Sequence, residues 1–77
     1  MKVTVLLFGQ LAEVVGSKEL QLIGYIDTTS LVAALHQQFP LLAQSKYVVA
    51  VNQQMISGNI SLTENSIVAL LPPFSGG

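Results

Sequence analysis

The sequence predicts an α+β domain of two layers, with one main helix packed on one face of a mixed sheet. Three observations predict it. A single apolar stripe of helical period, Leu31, Val32, Leu35 and Phe39, lies between a capping residue and a proline. Strand-like patterns stand on both sides of that stripe, in the order β-β-α-β-β-β. The last apolar run, Ile67 to Leu71, is cut by Pro72 and Pro73, which have no N–H for a sheet ladder, so the chain must leave the body extended.

The first strand is expected over Lys2 to Phe8. Val3, Val5 and Leu7 share one face and read as core. Lys2, Thr4, Leu6 and Phe8 share the other, which turns from polar to apolar along the strand and leaves Leu6 and Phe8 as candidates for exposure. Gly9 breaks the strand. Gln10 to Val15 reads as a short helical segment, with Gly16 where a C-cap glycine belongs. In Lys18 to Ile23, Leu20 and Leu22 alternate with Glu19 and Gln21, the pattern of a half-buried strand that can pair with the first as a wide hairpin.

Asp27 is a plausible N-cap, with Thr28, Thr29 and Ser30 in the first helical turn. The main helix is expected from about Asp27 to Phe39 and ends at Pro40. Its only histidine, His36, lies at the edge of the stripe with no metal-ligand spacing around it, so a structural role is expected. Leu41 to Lys46 reads as a connection and Tyr47 to Val51 as a third strand. Asn52, Gln53 and Gln54 form a turn before a short edge strand, Met55-Ile56, and Ser57-Gly58-Asn59 turns again. Leu62, alone in a polar stretch, is expected to plug the core from a loop. Asn65, which tolerates positive φ, precedes the closing strand.

Seventy-seven residues allow one small domain, which buries roughly 60% of the surface its unfolded chain exposes. We divide the chain into a domain over residues 1–71 and an extended tail over residues 72–77. Charged residues are 9% of the chain, against about 25% in an ordinary domain, and apolar residues are 51%. A small domain so composed is expected to leave an apolar patch for a partner. There is no arginine and no basic cluster, which argues against nucleic acid. No apolar run is long enough to span a membrane, and Met1-Lys2-Val3-Thr4 enters a strand pattern directly instead of a signal peptide, so a cytoplasmic location is expected.

The usual catalytic devices are missing from the sequence. The four acidic residues, Glu13, Glu19, Asp27 and Glu64, are scattered, and no nucleophile motif accompanies the one histidine. The glycines do not space as a phosphate-binding loop, and there is no cysteine to hold a metal or a persulfide. No cofactor or metal is therefore expected. What remains is the carboxylate at the end of Pro72-Pro73-Phe74-Ser75-Gly76-Gly77, a thin thread whose last five residues span roughly 17 Å. That carboxylate is ionised at neutral pH, with a reference pKa of about 3.5, and is inert to attack until a partner adenylates it. A sulfide donor can then replace AMP and leave a thiocarboxylate. A frayed, idle terminus is the plain alternative.

Three stretches carry a resemblance to a known family: Leu7-Phe8-Gly9-Gln10-Leu11-Ala12-Glu13, Val49-Ala50-Val51-Asn52-Gln53, and Val68 through Gly77 with its Pro-Pro-Phe-Ser-Gly-Gly ending. Over its whole length the chain resembles the small, sulfur-carrying subunit of molybdopterin synthase (the MoaD family), which is ubiquitin-like with a β-grasp fold. The resemblance implies parallel, adjacent first and last strands. It implies a sulfur carrier that is not itself an enzyme, with Gly77 as the site of adenylation and thiocarboxylation. It implies sulfur transfer to cyclic pyranopterin monophosphate in molybdenum cofactor biosynthesis.

The partners so implied are a large synthase subunit (MoaE-like) that forms a heterotetramer with the carrier and holds the catalytic residues, an adenylating activating enzyme (MoeB-like) and a sulfur donor. Phe8, Met55 and Leu71 match the family's apolar partner surface, and Pro73, Phe74, Ser75 and Gly76 belong to the tail that enters the partner. The strand pattern by itself leaves a core role open for Phe8, Met55 and Leu71. Members often carry Arg at the position of Ala12 to contact the activating partner, and a charged residue at that of Ile67. The usual Asp-Gly-Asp turn is here Glu64-Asn65-Ser66. A thiazole-forming sulfur carrier (ThiS-like), a ubiquitin-like modifier joined to protein lysines, and a plain binding module are the alternatives.

Overall fold

The computed structural model describes residues 1–73. Among them are the strands β1 (Lys2–Leu7), β2 (Glu19–Ile23), β3 (Val48–Val51), β4 (Gln54–Met55) and β5 (Ser66–Leu71), and the helices α1 (Gln10–Val15), α2 (Thr28–Gln38) and α3 (Pro40–Ala43). The strands form one mixed sheet in the order β2-β1-β5-β3-β4. Strands β1 and β5 are parallel and adjacent, and every other pairing is antiparallel. This is a ubiquitin-like β-grasp fold.

The alternation along β1 sorts its side chains as the sequence predicts. Val3, Val5 and Leu7 are buried beneath the helices, while Thr4 and Leu6 are only half-covered on the other face. Strand β5 does the same with Val68 and Leu70 inward and Ile67, Ala69 and Leu71 outward. Leu31 and Leu35 of α2 and Leu11 of α1 complete the core from above. Phe8 lies one residue past the end of β1, yet its N–H still donates to the Leu70 carbonyl at 3.1 Å. The other predicted strand ends differ by one residue, the usual uncertainty of a fraying terminus.

One expectation is corrected. Residues 41–46 do not simply connect: Pro40–Ala43 forms a helical turn, α3, and Leu42 is fully buried in the core. Phe39, at φ −127° and ψ 83°, interrupts the helical path, and Pro40 then starts a new turn at the first helical position, where its missing N–H costs nothing. The edge strand is also one residue earlier than predicted. Asn52 and Gln53 alone make the turn, both at positive φ, so that Val51 faces Gln54 and Ala50 faces Met55.

Helix α2 is capped twice. The Asp27 carboxylate accepts from the Ser30 backbone N–H at 2.9 Å and from the Ser30 hydroxyl. Asn59 Oδ1 accepts from the Thr29 N–H at 2.9 Å, and the Ile60 N–H donates to the buried Thr28 hydroxyl. These bonds stitch the 59–62 loop to the helix start, and Leu62 thereby reaches the core. The Ser30 hydroxyl, then the Ser30 N–H, hold the Asp27 carboxyl below its ordinary value of 3.8. A depressed carboxyl contributes stability that is complete above its unfolded pKa and is lost as pH falls through the folded one. The Asp27→Asn variant keeps a capping oxygen but no titrating charge. Between about pH 5 and about pH 2 its thermal midpoint should therefore fall less than that of the wild type, as followed by circular dichroism. Parallel declines would mean the cap bond does not favour the charged carboxylate.

Candidate functional site

The helices cover one face of the sheet, and the other is open. Its outward residues are set by register: Leu6 of β1 faces Ala69 of β5, Ala69 faces Ala50 of β3, and Ala50 faces Met55 of β4. Small side chains thus occupy the middle of the row and long ones its two ends. Leu71 lies opposite Val48, and Ile67 opposite Thr4. The result is a trough of about 590 Å³ floored by Ala50 and Ala69 and walled by Leu6, Phe8, Met55, Ile67 and Leu71. Asn52 and Gln53 supply its polar rim, and among the described residues no charged side chain lines it. Phe8 and Ile67 are each 44% exposed and Met55 is 56% exposed, so this apolar surface is open to solvent in the isolated chain.

The structure therefore brings Phe8, Met55 and Leu71 to one surface. Pro73 lies two residues past the end of β5 and is exposed. Phe74, Ser75, Gly76 and Gly77 lie outside the described residues. The floor, Ala50 and Ala69, is what sequence reading missed. Strand β3 is apolar at all four positions, so no alternation marks Ala50 as outward.

At the end of the trough β1 and β5 part company. Gly9, at φ 57° and ψ −137°, turns the chain from β1 into α1, while β5 runs on into Pro72. The side chain of Ala12, the first turn of α1, borders a second hollow with Phe8, Lys18 and Glu19 beside this exit. Ala12 presents only a methyl group there.

A separate groove lies between α2 and β3, where the His36 Nε2 and the Tyr47 hydroxyl are hydrogen bonded and the rings meet edge to face at 5.9 Å. Burial pushes the Tyr47 phenol above its ordinary value of 10.0, further from the neutral range in which it is already protonated. This is a structural pairing. Among the described residues no group of three or more His, Asp or Glu side chains is placed to hold a metal ion, and no helix is long and apolar enough to cross a membrane.

The model of the ThiS family matches residues 5–77. Among solved structures, the small archaeal modifier protein 1 from Methanosarcina acetivorans is 25% identical, with 99% of this chain and 96% of that one covered and a TM-score of 0.83. The complex of subunits 1 and 2 of the molybdopterin-converting factor from Helicobacter pylori 26695 contains a chain 28% identical to this one, with 100% of both chains covered and a TM-score of 0.75. A putative molybdopterin converting factor subunit 1 from Pyrococcus furiosus, at 18% identity, covers 96% of this chain and 99% of that one and shares the fold with a TM-score of 0.85.

Proposed function

The chain belongs to the ThiS family, the ubiquitin-like sulfur carriers and protein modifiers, and from that premise we propose that it is the sulfur-carrier subunit of a molybdopterin synthase. Small carriers of this kind are generally not catalysts themselves. Residues 1–71 are the docking body and residues 72–77 the working tail. One observation carries the reading: the Pro-Pro-Phe-Ser-Gly-Gly ending continues the strand whose Leu71 lines the open, uncharged trough. A partner seated on the trough through Phe8, Met55 and Leu71 receives the tail, with Pro73, Phe74, Ser75 and Gly76 leading Gly77 into its cleft. The similarity to a molybdopterin-converting factor chain solved with its second subunit supports a large subunit as that partner.

The chemistry starts at the Gly77 carboxylate. One of its oxygens attacks the α-phosphorus of ATP on the activating enzyme, an O–P bond forms and pyrophosphate leaves. Hydrosulfide from a sulfide donor then attacks the acyl carbon, a C–S bond forms and AMP leaves, giving the thiocarboxylate. In the large subunit this sulfur is transferred to cyclic pyranopterin monophosphate, and water restores the carboxylate. Glycines suit this end of the chain because they pass a narrow, water-excluding channel.

The test is intact mass after incubation with the host's own activating enzyme, ATP and sulfide. The expected product has one oxygen exchanged for sulfur at Gly77, and molybdopterin forms when the large subunit and pterin substrate are added. A whole-chain likeness to small archaeal modifier protein 1 supports a second reading, a protein modifier, and conjugates to lysines in place of the sulfur exchange would favour it. Co-purification with a thiazole-forming partner would redirect the carrier to that pathway. An unchanged mass would overturn both carrier readings.

A further inference from the structure

We propose that Gly9 is a positioning residue, a seat that sets the direction in which the tail leaves the sheet. The proposal rests on the reading that the tail carries the reacting group. In the parallel ladder Val3 faces Ser66 and Leu7 faces Leu70, and the same offset carried two residues further sets Gly9 against Pro72. The two strands diverge at that point. Phe8 makes the last bond across the pair, to Leu70, and Gly9 then swings into α1, where its carbonyl accepts from the Ala12 N–H at 3.2 Å. Pro72 has no N–H to extend the ladder, and its ring lies against Gly9 instead.

That packing is close. A Cβ on Gly9 would stand 2.9 Å from Cγ and 3.7 Å from Cδ of the Pro72 ring. The ring is closed onto the backbone nitrogen, so beyond a change of pucker it cannot swing away as the end of a long side chain can. To admit a Cβ, either the Gly9 turn or Pro72 itself must shift, and a shift of Pro72 redirects every residue after it. The φ of 57° at Gly9 is also one that residues with a Cβ rarely adopt, so the turn has little freedom to yield. Gly9 acts through the Pro72 ring it packs against.

The test is adenylation by the host's activating enzyme with ATP, read as pyrophosphate release while the carrier concentration is varied. Circular dichroism checks that each variant is folded at the assay temperature. Gly9→Ala should lower kcat by roughly 30-fold, since a misplacement of about 1 Å can cost on the order of 100-fold, with the KM for the carrier held within about twofold by the intact trough. Gly9→Ala/Pro72→Ala should recover kcat to about tenfold below wild type, the level expected when the Pro72 ring is missing, because the collision is gone although the left-handed alanine remains. A merely structural glycine would not give that recovery. If Gly9→Ala does not fold, Pro72→Gly in the wild-type background removes the seat from the other side and should lower kcat about tenfold. A folded Gly9→Ala with wild-type kcat, a double variant no faster than the single one, or a wild-type Pro72→Gly would overturn the proposal. The Gly77 deletion, run alongside, separates the two failures. An inactive deletion beside wild-type Gly9 and Pro72 variants overturns the seat and leaves the carrier reading standing, whereas an active deletion overturns both.

Discussion

Deleting Gly77 is expected to lower sulfur transfer by on the order of 100-fold and to leave the thermal midpoint unchanged. The deletion withdraws the carboxylate by roughly 3 Å, about the length of one extended residue, and a misplacement of about 1 Å already costs on the order of 100-fold. On the proposed function the nucleotide and the sulfide donor would meet the carboxylate inside the partner, so its reach decides the geometry of attack. The midpoint should hold because the core among the described residues runs from Val3 to Leu70. An added residue after Gly77 should be as damaging, since the carboxylate then overshoots the nucleotide. Gly77→Ala keeps the length but adds a methyl group and restricts the backbone, and should slow transfer less than the deletion does. The measurement is product formation with activating enzyme, ATP, sulfide, large subunit and pterin substrate. Wild-type turnover by the deletion would make the plain binding module the leading reading.

Signals carried by neighbouring residues were legible in the sequence. The alternation of β1, the Asp27 cap and the Gly16 terminator each depend on a few consecutive side chains, and each is found in place. Features that need two distant segments were not legible. Asn59 caps α2 from 30 residues downstream, and nothing near Asn59 announces it. Gln53 adopts a φ of 72° without the glycine that normally marks such a turn, so the turn was read one residue too long. Pro40 was read as a stop and is also a start, because the same fixed φ serves both ends of a helix. The trough combines both cases. Leu6 and Phe8 stand out as outward on β1, but the floor depends on which residues of the all-apolar runs in β3 and β5 face out, and only the pairing of the strands decides that.

The opposite facing of Leu70 and Leu71 gives the sharpest separation of docking from folding. Leu70 is fully buried, whereas Leu71 is half-covered and lines the trough. Leu71→Asp sets a charge on a surface that has none and that a partner must desolvate. Its complex with the large subunit should weaken by about 2–4 kcal/mol, roughly 30- to 1,000-fold in Kd, the range of an interface hot spot. The free chain should lose only about 1 kcal/mol, the span of strand preference at an outward site, so its midpoint should drop a few degrees. Leu70→Ala should behave in reverse. It opens a cavity in the core and costs about 2–5 kcal/mol of stability, while the fraction that stays folded keeps its affinity. Stability is read by thermal melts and affinity by calorimetric titration of the large subunit. Equal losses of stability in the two variants would place Leu71 in the core, and an unchanged Kd for Leu71→Asp would remove the trough as the docking surface. A chain of this size has a thin margin of stability, so the Leu70→Ala titration belongs at low temperature, where enough of the variant remains folded to measure.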